Sequence, residues 1–330
     1  MPGSVTSVFS EAEHFEAALR EEGCFRLVVT GPSPFRARLT QITLHNLSLV
    51  DAEEEVPRVA FVEVPTDTVL VALPIGGTPA PHWGGMETRA GEMITLGPAQ
   101  RVHARSEGPC HWGAIRLPAQ ELAQYGGALR GGAFVMPPPV ALWRPPRAAF
   151  RQLRHFHQAA VRAAELRSGV LADSEAAHGL EQQVIHALVE ALLSGPVDEE
   201  TEATRRHRSI LARFEDLLGA EPLPSLTEIG AALGVSHRML RECCKKHLGM
   251  GPSRYRRLRG MQLVHRALRS RDPRAASVFD VARRYGVRDL NRFASRYRAS
   301  YGELPSATLR RGSRQGSTEL SLGRPRVKAS

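Results

Sequence analysis

The sequence predicts a multidomain chain, a mainly-β half followed by an all-α half, and three observations predict it. Short apolar runs punctuated by Gly and Pro fill residues 25–117, the pattern of a barrel or sandwich. Charge is segregated: residues 1–204 hold 16 Arg and no Lys against 24 Asp and Glu, a net of −8, whereas residues 205–330 hold 28 Lys and Arg against 10 Asp and Glu, a net of +18. A short helix-turn-helix pattern occurs twice between Ser225 and Leu309. At 330 residues the chain is long enough for two domains, each burying its own core.

The N-terminal half opens with a helical pattern over Glu11–Glu22, with Phe15, Ala18 and Leu19 on one face. The period then changes. Arg26–Val29, Phe35–Leu39, Ile42–Leu44, Leu47–Val50, Val59–Val64, Val69–Leu73, Glu92–Leu96 and Trp112–Leu117 read as strands. Gly31-Pro32, Gly76-Gly77, Gly84-Gly85, Gly97-Pro98 and Gly108-Pro109 read as the turns between them. Gly126–Pro146 is rich in Gly and Pro and reads as a long loop. Pro146–Arg167 and Ser174–Leu193 follow as a helical hairpin, and the broad apolar stripe of its second helix suits packing on the β domain either with one side left for a twin subunit or as a cover for its own domain alone. Ser194–Thr204 is polar, acidic and without apolar period, so it reads as a linker.

The basic half begins with an amphipathic helix over 205–218 and continues into the repeat. The first copy is Ile229-Gly230-Ala231-Ala232-Leu233-Gly234-Val235-Ser236 and the second Val281-Ala282-Arg283-Arg284-Tyr285-Gly286-Val287-Arg288-Asp289. Ser225 with Glu228 forms a capping-box pattern, and Ser277 with Asp280 imitates it. Gly230 and Ala282 are small where helices are expected to cross closely. Gly234 and Gly286 supply the positive φ of a tight turn. Ser236 and Asp289 cap the second helices, whose core faces are Leu240, Cys244 and Leu248 in one copy and Phe293, Tyr297 and Tyr301 in the other. Ser253–Arg269 reads as a connecting helix stopped by Asp272-Pro273, and 313–330 as a disordered basic tail.

On these residues the stretch resembles the DNA-binding domain of the AraC/XylS family of transcription regulators. The resemblance runs through Leu226-Thr227-Glu228-Ile229, Leu233–Ser236 and Leu248–Tyr255, then through Asp280-Val281-Ala282, Tyr285-Gly286, Arg292-Phe293 and Tyr301–Ser306. It covers about 100 of the 330 residues. Gly260, where the family's connecting helix usually carries Arg, Val287 in place of Phe, and Cys244 in place of Phe depart from it. The resemblance implies an N-terminal cupin-like effector-binding and dimerisation domain over 1–193, a linker over 194–204, a double helix-turn-helix domain over 205–312, and activation through RNA polymerase. Gly91-Glu92 with Pro98 and His103 is similar to the second cupin motif, but the Pro is one position late and the paired histidines of the first motif are missing. That argues against a cupin-type metalloenzyme fused to a DNA-binding domain; an architectural DNA binder without effector is the other alternative.

A recognition helix presents side chains near its N-terminus to base edges in the major groove. The base-reading candidates are therefore His237, Arg238, Arg241 and Glu242 in the first copy, and Leu290, Asn291 and Ser295 in the second. Arg suits guanine, Asn suits adenine, and Leu290 can only touch a thymine methyl. Lys245, Lys246, Arg254, Arg256, Arg296 and Arg298 are assigned to phosphate. In the β half, Trp83, Arg101, Trp112 and Arg116 are the candidate walls and anchors of a small-molecule pocket, with plain core tryptophans as the simpler reading. His82, His103 and His111 fit hydrogen-bonded core or rim positions better than a metal site, and no cofactor is expected. Cys24, Cys110, Cys243 and Cys244 match neither a zinc pattern nor a disulfide framework. No apolar run reaches the roughly 18 residues of a membrane span, and no signal-peptide pattern opens the chain, so a cytoplasmic protein is expected.

If the basic half neutralises six or more phosphates, affinity for duplex DNA falls roughly 10³-fold or more between about 50 and 200 mM salt. A filter-binding titration across that range checks it, and a flat response would remove the nucleic-acid assignment.

Overall fold

The computed structural model describes residues 2–20, 23–31, 34–76, 81–166, 169–270 and 277–311. The Asp272-Pro273 stop and the 313–330 tail lie outside these residues. The chain divides into two compact units. The first takes in Phe35–Ala212, the strands and helix that precede them, and Cys243–Gly249; the second takes in Gly31–Pro34, Arg213–Glu242 and the chain from Met250.

The first unit is mainly β, with helices at its C-terminal end. Its strands are β1 (Gly3–Phe9), β2 (Cys24–Val29), β3 (Ala37–Thr43), β4 (Ser48–Glu54), β5 (Arg58–Glu63), β6 (Thr68–Gly76), β7 (His82–Trp83), β8 (Met86–Glu87), β9 (Met93–Leu96), β10 (Arg101–Ser106), β11 (Cys110–Pro118), β12 (Val140–Trp143) and β13 (Val197–Glu199). The helices are α1 (Ala12–Leu19), α2 (Ala119–Arg130), α3 (Arg147–Leu166), α4 (Ser174–Ser194) and the start of α5 (Glu202–Leu217). One sheet has the order β1-β3-β4-β11-β6-β9-β12-β13 and the other β2-β5-β10-β7-β8. Neither is closed on itself.

Alternation along β11 shows how the layers are held. Cys110, Trp112 and Ala114 face a core shared with the smaller sheet through Leu27, Ala60, Val102 and Trp83. Ile115 and Leu117 belong to a second core, filled by Phe150 and Leu153 of α3 and by Val184, Ile185 and Leu188 of α4. The larger sheet is thus apolar on both faces, the reason its strands read as continuous apolar runs. α3 is also tied through buried His157, whose Nε2 lies 3.0 Å from the Val50 carbonyl; burial holds its pKa below the usual imidazole value.

The first core encloses an ion pair. Arg58 Nε donates to both Glu54 oxygens at 3.1 and 3.2 Å, Arg58 Nη2 donates to Oε1 at 3.0 Å, and Arg58 Nη1 donates to the Ala104 carbonyl at 2.9 Å. Trp112 Nε1 donates to Glu54 at 2.7 Å. Both charged side chains are essentially solvent-free, at 1% and 0% exposure, so the pair persists only because every donor has a partner.

Several sequence expectations are corrected here. Gly126–Pro146 is not one loop: α2 runs to Arg130, and Val140–Trp143 is a central strand whose alternation is masked because both faces are buried. Ser194–Thr204 contains β13, paired with β12, and the first turn of α5, so it is ordered by backbone hydrogen bonds that its polar composition hid. β1 and β10 were not anticipated as strands. No helix among the described residues is long and apolar enough to cross a membrane. Cys110, Cys243 and Cys244 are buried and form no disulfide, and burial pushes the Cys110 thiol up to about 11.

Glu54→Ala strands the Arg58 charge and is expected to cost about 3–5 kcal/mol. Urea unfolding followed by tryptophan fluorescence measures it; a loss below about 1 kcal/mol would mean that the pair does not hold this core.

Candidate nucleic-acid interface

The second unit builds the two helix pairs from α6 (Leu226–Leu233), α7 (His237–Leu248), α8 (Pro252–Ser270), α9 (Val278–Arg284) and α10 (Leu290–Tyr301). Residues 237–242 of α7 belong to this unit. α6 starts at a complete capping box: Ser225 accepts from the Glu228 N–H at 3.3 Å, and Glu228 accepts from the Ser225 N–H at 2.7 Å. Ser277 accepts from the Asp280 N–H, but its hydroxyl then donates to the Asp280 carboxylate at 2.6 Å, so the reciprocal bond of the box is replaced.

Both turns are the same hydrogen-bonded device. In the first, the Val235 N–H bonds the Gly230 carbonyl at 3.2 Å and the Gly234 N–H bonds Ala231 at 3.1 Å. In the second, Val287 bonds Ala282 at 3.1 Å and Gly286 bonds Arg283 at 3.0 Å. This six-to-one plus five-to-two pattern is a Schellman motif, and it requires the left-handed residue, here Gly234 at φ 66° and Gly286 at φ 76°. The expected need for a small residue at Gly230 is not met by a close approach: an added Cβ would find only the Val235 oxygen, at 3.6 Å. The close approach is at Gly260 of α8, where a Cβ would stand 3.1 Å from both Leu223 and the Tyr285 carbonyl.

The second helices are capped as expected. Ser236 accepts from the Met239 N–H at 3.2 Å, and Asp289 accepts from the Arg292 N–H at 3.0 Å. Leu240, Cys244 and Leu248 are buried. Phe293 and Tyr297 are buried with Val264, Leu268, Val281 and Ala282. Tyr297 Oη meets His265 Nδ1 at 2.5 Å and donates to Thr308 at 2.8 Å, while Tyr301 stacks on His265 at 3.9 Å.

The outward faces carry the candidate readers. His237, Arg238, Arg241 and Glu242 are exposed, the Arg238 side chain at 89%, and Arg238 Nε donates to Glu242 at 3.0 Å one turn away. On α10, Asn291 and Ser295 are exposed, with the Ser295 hydroxyl bonded to the Asn291 carbonyl at 3.1 Å. Leu290 is only half-exposed and packs on the core around Phe293, so its shape is committed partly inward.

Among the phosphate candidates, Lys245, Arg254, Arg296 and Arg298 are exposed. Lys246 Nζ donates to the Thr204 hydroxyl at 2.6 Å. Arg256 is half-buried: its Nε donates to the Pro224 carbonyl at 2.6 Å and its Nη2 to Leu223 at 3.1 Å, which fastens the segment leading into α6. Arg257, Arg288 and Arg292 line a cavity beside the second turn and are not among the base or phosphate candidates read from the sequence.

The four pocket candidates of the first unit have different partners. Trp83 and Trp112 are buried and meet edge to face at 6.3 Å. Arg101 lies 3.5 Å from Glu63 and over the Phe61 ring at 5.1 Å, whereas Arg116 Nε donates to Ser48 at 3.1 Å. His111 bonds Asp51 at 2.8 Å, which raises its pKa, and His103 is buried against Phe61. Among the described residues, no three metal-ligating groups meet.

Residues 229–311 match the helix-turn-helix domain family. Over 86 residues the chain is 36% identical to the XylDLEGF operon transcriptional activator of Pseudomonas putida, covering 26% of this chain and 27% of that one. Over 85 residues it is 38% identical to the XylDLEGF operon transcriptional activator 2 of the same organism, covering 26% and 54%. The chain therefore spans between about a quarter and about half of the length of these relatives. The crystal structure of the AraC-like transcriptional activator CuxR overlays on 78% of this chain and 94% of that one, at 16% identity and a TM-score of 0.42.

Arg256→Ala removes two charge-assisted hydrogen bonds and is expected to cost about 1.5–3 kcal/mol of stability, while Lys245→Ala stays within about 0.5. Thermal unfolding of both variants compares them; equal stability would show that Arg256 does not fasten the segment.

Proposed function

We propose that this chain is a regulator of the AraC/XylS family, a reading supported by the match of its C-terminal region, and that it is a sequence-specific DNA-binding transcription activator that answers to a small-molecule effector. The observation that carries the reading is the repeated unit: two Schellman turns, each followed by a capped helix whose first turns expose polar side chains. His237, Arg238, Arg241, Glu242, Asn291 and Ser295 read bases, with Leu290 touching a methyl group through its exposed part. Lys245, Lys246, Arg254, Arg256, Arg296 and Arg298 meet phosphate, Arg256 through the donor capacity left after its two carbonyl bonds.

The remaining assignments follow the family. Residues 1–193 are read as a cupin-like effector and dimerisation domain, 194–204 as the connection and 205–312 as the DNA-binding domain. Two sheets enclosing one apolar core support the cupin-like reading. Trp83, Arg101, Trp112 and Arg116 are kept as the effector contacts; because both tryptophans are buried, a ligand there would move core side chains and register in their fluorescence. The hairpin α3–α4 leaves Leu166 and Leu193 exposed, which favours pairing of two copies. Activation would proceed by contact with RNA polymerase in the cytoplasm, without catalysis by this chain.

Arg238 and Arg254 separate base reading from backbone contact. Arg238→Ala is expected to cost about 1–3 kcal/mol on the specific site and much less on a scrambled duplex. Arg254→Ala is expected to weaken both alike and to lower the salt slope by about one. Titration of both variants against the two duplexes at two salt concentrations tests it. Equal losses for Arg238→Ala on both duplexes would remove that helix from base reading.

A further inference from the structure

A cavity of about 320 Å³ opens in the second unit between α8 and the turn joining α9 to α10. Its lining is unusual in charge: Arg256 and Arg257 from α8, Arg288 from the turn, and Arg292 and Arg296 one turn apart on α10, against the single carboxylate of Asp289. That carboxylate is already engaged, since it caps α10 through the Arg292 N–H at 3.0 Å and stands 3.9 Å from Arg292 Nε. Arg257, Arg288 and Arg296 make no hydrogen bond or ion pair with the described residues.

The site is built rather than incidental. Three separate segments supply the guanidinium groups. Arg256 is fixed by its bonds to Leu223 and Pro224, and its Nη2 occupies the space a side chain on Gly286 would need, 2.7 Å from an ideal Cβ. Gly260 also lines the cavity and leaves it unfilled from the α8 side. Burial first, and then Arg288, lowers the pKa of Arg256; burial, and then Arg296 and Arg254, lowers that of Arg257. Five guanidinium groups against one engaged carboxylate leave an excess of positive charge that an anion relieves, and planar guanidinium forks suit the paired oxygens of a phosphate group. The volume lies at the lower end of that of small-molecule sites, roughly 300–1,000 Å³.

We propose that this cavity is a binding site for a phosphate group, held by Arg256, Arg257, Arg288, Arg292 and Arg296. The group comes either from a soluble phosphorylated anion or from the DNA backbone; only the second source rests on the DNA-binding reading above. The test uses the full chain, pyrophosphate as the soluble probe, and the double variant Arg257→Gln/Arg288→Gln, whose two side chains are exposed. Calorimetric titration at constant ionic strength is expected to show one pyrophosphate per chain, weakened at least about tenfold in the double variant. Arg151→Gln, an exposed side chain of α3, provides the control and leaves this binding unchanged. Saturable pyrophosphate binding that leaves DNA affinity untouched identifies a soluble ligand. Competition between pyrophosphate and DNA, or a salt slope for DNA lowered by about two in the double variant, identifies the backbone as the source. Absence of pyrophosphate binding together with an unchanged salt slope overturns the site, whatever the specific duplex does. A protein that binds pyrophosphate but no DNA would refute the DNA-binding reading and leave the site standing.

Discussion

The DNA-binding half depends on reversing the chain between two helices without leaving their end groups unsatisfied. A helix that stops abruptly exposes carbonyls that need partners, and the reversal needs one residue with positive φ. Both copies solve the problem in the same way, with carbonyls 230 and 231 bonded to residues 235 and 234, and carbonyls 282 and 283 bonded to residues 287 and 286. A side chain at Gly234 would pay left-handed strain, and one at Gly286 would also strike Arg256. Once the turn is set, the capped second helix has to leave with Leu240 or Phe293 inward, and its polar face is thereby turned outward.

Rigidity in this half comes from polar groups as much as from apolar ones. Tyr255 Oη bonds Glu215, buried Arg259 stands 3.7 Å from the same carboxylate and donates to Gln262 at 2.7 Å, and the His265–Tyr297–Thr308 chain crosses the second core. These helices are short, and their intrinsic stability is small. Buried polar bonds of this kind restrict such a unit to fewer arrangements. The first unit uses the same strategy at Glu54 and Arg58.

The arginine-lined cavity owes its shape to two local features. Gly260, without a side chain, lets α8 approach Leu223 and Tyr285, while Arg288 extends the second turn by one residue. The result concentrates positive charge in a concavity rather than spreading it along a helix face. Concave charge with a low-dielectric wall focuses its field more strongly than an exposed row does.

What the sequence by itself determined were the features set by neighbours along the chain. Caps three residues apart, glycines at the turns, helical spacing of Leu240, Cys244 and Leu248, and the segregation of charge are local properties, and each is found as read. The helical hairpin and most strands were legible for the same reason. Tertiary structure alone decided how strands assemble and which groups meet. Val140–Trp143 and Val197–Glu199 become strands through partners far away in sequence, β10 lies between β5 and β7, and the sheets form two open layers. Arg256 also fastens the segment leading into α6, because Leu223 and Pro224 come within reach of it. Trp83 and Trp112 meet edge to face, a contact that their separate places along the chain do not reveal. Periodicity states which face a residue takes, but only the packing of distant segments states what stands opposite that face.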